Sequence, residues 1–145
     1  MRRMGRPRIL IKGGLRALLD LYTPYKVEIM RYNDSIRWSG YYVKPIHVTY
    51  KSKGGVTLKY IYFGRYWYRI SRKGGRVSWI YLGREKPDPA LPDPPLNPFE
   101  GLTAMVIGED VELDLDSLRL LSGIEKALGA PNFFTKILEG PRDLA

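Results

Sequence analysis

Tyr60, Tyr62, Trp67, Arg69, Arg72, Lys73 and Arg76 fall in one short stretch of the chain, with Lys51 and Lys53 just before it. Planar rings set among fixed cations suit one chemistry in particular. Cations neutralise phosphates and release their counterions, while rings offer faces on which unpaired bases stack. Arg2, Arg3, Arg6 and Arg8 extend the same basic character to the N-terminus. The bias is regional: residues 1–86 hold 20 of the 24 Lys and Arg, 4 of the 15 acids and 15 of the 18 aromatic residues. A basic body of +16 therefore precedes an acidic portion of −7. Such an excess calls for a counter-charge, which a polyanion or the acidic portion itself can supply.

Other chemistries find less material. His47 is the only histidine, so a Ser-His-Asp site would rest on it alone, and its alternating surroundings suit a strand surface. Asp110, Glu112, Asp114 and Asp116 are close enough in sequence to suggest the Mg²⁺ ligands of a nuclease, yet they equally fit the exposed side of an amphipathic strand. With no cysteine, disulfides, thiolate metal sites and Cys nucleophiles are excluded. Gly54-Gly55 and Gly74-Gly75 read as hairpin turns, because no helix follows them as it would follow a phosphate loop. No catalytic set, metal site or cofactor is implied.

The elements that must position these residues follow from periodicity. Met1 to Gly13 reads as a basic flexible arm, within which Gly5-Arg6-Pro7-Arg8 resembles the core of an AT-hook, a segment that enters the minor groove of A·T-rich DNA. Leu15, Leu18, Leu19 and Tyr22 recur at helical spacing and predict a short helix ending before Pro24. Alternation then predicts strands over Lys26 to Tyr32, Ile36 to Val43, Ile46 to Lys51, Val56 to Phe63, Tyr66 to Ser71 and Arg76 to Leu82. Asn33-Asp34 and the two Gly-Gly pairs are the turns between them. Ser52-Lys53-Gly54-Gly55 and Arg72-Lys73-Gly74-Gly75 open similar hairpins, which suggests a tandem repeat. Residues 87–98 contain six prolines and predict an extended linker. Beyond it, residues 99–145 predict an acidic strand at Val111 to Leu115, a helix capped by Asp116 and ending at Gly129, and a second short helix after Pro131.

Hairpin parity assigns the faces. Tyr66, Tyr68, Ile70, Val77, Trp79 and Tyr81 share one side, expected to be the buried one. Trp67 lies opposite, exposed between Arg69 and Arg76 as a stacking post. In the preceding hairpin, His47, Thr49, Lys51, Tyr60 and Tyr62 share the outer face.

Tyr66-Trp67-Tyr68-Arg69, Arg72-Lys73-Gly74-Gly75-Arg76-Val77 and Tyr81-Leu82-Gly83 together resemble an uncharacterised prokaryotic β-hairpin module found near mobile-element and DNA-associated proteins. The resemblance implies a DNA context. The expected fold is α+β: an antiparallel meander of four to six strands in an aromatic-rich domain over residues 14–86, a short N-terminal helix on one face, and a strapped C-terminal helical segment. The expected function is binding of single-stranded DNA or RNA, with a structural or assembly subunit of a nucleoprotein complex as the alternative and a metal-dependent nuclease after it. A homodimer or protein partner through the C-terminal segment is the other expected association. No apolar run reaches the roughly 20 residues that span a bilayer, and Lys12 interrupts the only N-terminal apolar run. The reading is of a soluble cytoplasmic protein with no membrane partner, whose lack of Gln and Cys resembles thermophile composition.

Overall fold

Leu18, Leu21, Tyr22, Ile29, Tyr32 and Ile36 are all buried, and Ile29 follows Tyr22 by seven residues, two helical turns, so one face is kept on both sides of Pro24. The helical period thus outlasts the expected stop. In the computed structural model, which describes residues 8–140, a single helix, α1, spans Gly14–Ser35. An interior proline costs a helix about 3 kcal/mol, whereas fully burying one large apolar side chain recovers about 1.5–3 kcal/mol. Ile29, Tyr32 and Ile36 together exceed the penalty. The expected strand over Lys26 to Tyr32 is therefore helix, and that over Ile36 to Val43 is replaced by a 3-10 turn at Arg37–Ser39 followed by β2, Tyr41–Lys53.

The remaining elements are β1 (Arg8–Ile11), β3 (Val56–Lys73), β4 (Arg76–Gly83), β5 (Thr103–Ile107), β6 (Asp110–Asp114), α2 (Leu115–Leu128) and α3 (Phe133–Glu139). Over the described residues the fold is α+β, a six-stranded antiparallel sheet with three helices. Strand order is β1-β6-β5-β3-β2, with β4 also paired to β3. β2, β3 and β4 follow one another as hairpins, whereas β5 and β6 enter the sheet between β3 and β1. The two strands expected at Val56 to Phe63 and Tyr66 to Ser71 are one strand of 18 residues, since Gly64 continues the extended backbone. Among the described residues, no helix is long and apolar enough to cross a membrane.

The described chain divides into two compact units. One comprises residues 8–21, 48–61 and 102–140. In it β1 pairs with β6, matching Arg8 to Asp114 and Ile11 to Val111, so Arg8 belongs to a strand where a flexible arm was expected. Gly14 has no room for a side chain: a Cβ there would lie 2.6 Å from Val111 Cγ2 and 3.0 Å from Ile11 Cγ2. Asp114, two residues before the expected Asp116, caps α2 by accepting from Ser117 N at 2.8 Å. Buried Glu125 joins α2 to α3, accepting from Phe134 N at 2.9 Å, Thr135 N at 2.8 Å and Thr135 Oγ1 at 2.8 Å.

The other unit comprises residues 22–47 and 62–101. Its core joins Ile29, Tyr32, Ile36, Val43, Trp67 and Leu91. Tyr22, Phe63 and Phe99 form a neighbouring ring cluster with centroids 5.0 to 5.7 Å apart. Asn33, expected in a turn, is buried in α1 and behaves as a strand partner: its Nδ2 donates to Val43 O at 2.8 Å and its Oδ1 accepts from Val43 N at 2.9 Å. The proline-rich stretch is packed through Leu91. Lys86 Nζ donates to Leu91 O and Asp93 Oδ1, both at 2.7 Å, and Tyr32 donates to Pro92 O.

Candidate nucleic-acid interface

Gly74 and Gly75 have φ of 54° and 77°, the doubly positive pair that a two-residue hairpin turn requires. The turn sets the register of β3 with β4. Tyr68 faces Tyr81, Ile70 faces Trp79 and Arg72 faces Val77, while Arg69 faces Ile80, Ser71 faces Ser78 and Lys73 faces Arg76. Directly opposed residues share a face, so these are two sides of one ribbon. The expected grouping of residues 68–81 by parity is therefore present.

The expected burial of one side is not: residues 72–82 are exposed on both sides, and the core residue is Trp67 and not Trp79. Trp67 is fully buried at 0%, with its ring edge-on to Tyr32 at 6.2 Å, whereas Trp79 is 51% and Tyr81 53% exposed. Trp67 is therefore not a stacking post. Tyr66 and Trp67 are both buried, as adjacent residues on opposite sides of the strand: Trp67 packs with Tyr32 and Leu91, and Tyr66 lies beside His47 at 5.5 Å and under Arg84. The register shift between Trp67 and Tyr68 leaves Leu82 as an extra residue in β4, since Trp67 faces Gly83 and Tyr68 faces Tyr81.

Past this shift the hairpin outruns the core, and its exposed rings collect on one side. Trp79 lies edge-on to Tyr42 at 5.1 Å and to Tyr68 at 5.9 Å, and Tyr68 is 5.4 Å from Tyr81. Tyr42, Lys44, Tyr68 and Trp79 line a cleft of about 250 Å³. Arg72 stands on the same side towards the turn. The reverse side carries Arg69, Lys73 and Arg76, all exposed. Residues 68–83 contain no acid, and none of Arg69, Arg72, Lys73 and Arg76 pairs with an acid among the described residues. Arg65 and Arg84, by contrast, are engaged: Arg65 Nε lies 3.0 Å from Glu100 Oε1, and Arg84 lies over the Tyr66 ring at 5.8 Å. Burial raises the Tyr66 phenol above its ordinary range, an effect that Arg84 opposes.

The other expected contact residues sit apart from this cluster in chemistry or in chain unit. Lys51, Lys53 and Tyr60 belong to the first unit, where Lys51 Nζ covers the Tyr60 ring at 5.0 Å. Tyr62 is half-buried beside His47 at 6.2 Å. Arg8 lies 4.0 Å from Glu112, while Arg2, Arg3, Arg6 and the hook-like segment through Pro7 lie outside the described residues. The four carboxylates considered for Mg²⁺ are spent singly. Asp110 accepts from Gly13 N, Glu112 faces Arg8, Asp114 caps α2, and Asp116 lies 3.9 Å from Arg119. No cluster of three potential metal ligands occurs among the described residues.

Sequence reasoning missed Tyr42, Lys44, Tyr68, Trp79 and Tyr81 as surface residues. The available signal was the Tyr66-Trp67-Tyr68 triplet itself, because three successive rings on a half-buried strand place at least one on the solvent side. No protein-family model, curated protein or solved structure matches the chain.

Proposed function

We propose that this protein binds single-stranded DNA or RNA through the ring-bearing side of the β3–β4 hairpin. The observation that carries this reading is the cluster of exposed Trp79 and Tyr81 with half-buried Tyr42 and Tyr68, beside cations without acidic partners among the described residues. Holding several rings half in water costs hydrophobic free energy that stacked bases recover. Lys44 and Arg72, on the same side, are placed for the phosphates of a strand whose bases lie against the rings. The hairpin's resemblance to modules near DNA-associated proteins supports the same partner class.

Anisotropy titrations with matched single-stranded and duplex DNA and RNA at two salt concentrations test the reading. Single strands of both sugars are expected to bind, with affinity falling steeply as salt rises. Salt-independent affinity would exclude the electrostatic component, and a strict preference for blunt duplex would exclude stacking.

A second reading, an assembly subunit of a nucleoprotein complex, draws on Trp38 and Met30, exposed at 74% and 55% in and just after α1. Light scattering of the protein alone and with oligonucleotide separates the two, since an assembly subunit forms higher-order species.

A further inference from the structure

Resting on that proposed function, we infer that the β3–β4 hairpin recognises a junction between single and double strands, using its two sides for two different strands. A single strand lying against Trp79 has its phosphates served from the same side by Lys44 and Arg72. The reverse side then holds cations which that strand does not need.

Those reverse-side residues form a ladder. Lys73 and Arg76 are directly opposed next to the turn, followed inward by the pair Ser71 and Ser78, then by Arg69. Successive steps are roughly 7 Å apart, two residues along a strand. Like charges directly opposed across a hairpin destabilise it, and no acid among the described residues relieves Lys73 and Arg76. An anion is the missing partner, and hydroxyls behind the cations add hydrogen bonds suited to phosphate oxygens. The ring side suits exposed bases, whereas the paired residues of the reverse side are cations and hydroxyls apart from Ile80, opposite Arg69. A duplex presents phosphates without free base faces, and a single strand presents both. Only where the two meet do both sides of the ribbon find their ligand. The outer hairpin from Arg72 to Leu82 is exposed throughout, leaving both sides open to a partner.

The test compares a forked DNA with its single-stranded arm and its blunt duplex, using the whole protein. The fork is expected to bind about tenfold or more tighter than either component. In the triple variant R69Q/K73Q/R76Q, fork affinity is expected to fall to the single-strand level, with a salt dependence shallower by about one unit of slope per lost contact. Single-strand affinity should hardly change. Trp79→Ala should weaken single strand and fork alike. Circular dichroism of each variant confirms that these exposed substitutions leave the fold intact. Equal affinity for fork and single strand overturns the junction proposal alone, as does a triple variant that loses single-strand binding to the same extent. Failure to bind any of the three DNAs overturns the proposed function and the junction together.

Discussion

Two tryptophans twelve residues apart in β3 and β4 have opposite fates, and the difference is set by what packs against each. Trp67 fills the core under Tyr32 and Leu91, while Trp79 stands half in solvent between Tyr42 and Tyr68. Trp67→Ala is expected to destabilise the protein by about 3–5 kcal/mol, the usual cost of emptying a core aromatic site. Urea unfolding reads this directly. Trp79→Ala should leave the unfolding midpoint nearly unchanged and weaken single-strand binding by about 1–3 kcal/mol. The opposite pattern, a stable Trp67 variant that has lost binding, would restore Trp67 as the exposed stacking post. Parity grouped the side chains correctly but cannot tell which group meets a core, and Trp67 finds Tyr32 and Leu91 on the side expected to be open.

At the scale of elements, the strongest local signals in the sequence proved the most faithful. The Gly-Gly turns, the Gly129 stop and the amphipathic pattern of Leu118, Leu121 and Ile124 correspond to observed turns and to α2. The failures cluster around α1, where Pro24 and the alternation of Val27 and Ile29 with charged neighbours imitated a helix end and a strand. What decided the matter was tertiary: Ile29, Tyr32 and Ile36 find a core in Val43, Trp67 and Leu91 that only the folded chain supplies. Asn33 belongs to the same set of long-range causes. Its amide satisfies both backbone groups of Val43, so Asn33→Ala leaves a buried donor and acceptor unpaired and should cost about 2–4 kcal/mol. Chemical denaturation measures the loss. Glu125 plays the corresponding part for α3, whose first turn it caps from α2. Glu125→Ala should speed amide exchange throughout Phe133–Glu139 while α2 stays protected. Equal protection of α3 in variant and parent would remove the carboxylate from that role.

For the whole molecule, the division into a basic body and an acidic portion describes charge but not architecture. The acidic portion contributes Phe99 to the ring cluster with Tyr22 and Phe63, places β5 and β6 in the sheet, and provides the partner strand of β1. Its Leu102, Ala104, Val111, Leu113 and Phe134 are buried, which a detachable competitor for nucleic acid would not require. Removing residues 99–145 is therefore expected to yield an unfolded or insoluble chain, read by circular dichroism and sedimentation. A truncated protein that stays folded and binds single strands more tightly would instead make the acidic portion a cover for the basic one. High pH probes the same core without altering the sequence. Burial raises the phenol of Tyr22 well above its ordinary value, and burial also raises Tyr32, with the Asp93 carboxylate adding to the effect. In the unfolded chain both phenols ionise near 10.0. Folding that holds a proton more tightly is favoured below that pH and loses the advantage as pH rises from there through the raised folded values. The thermal midpoint should accordingly be flat up to about pH 9.5 and decline above pH 10. Tyr22→Phe, which removes a buried hydroxyl without a hydrogen-bond partner among the described residues, should flatten the decline. A midpoint that ignores pH across this range would mean that neither phenol is held neutral by the fold.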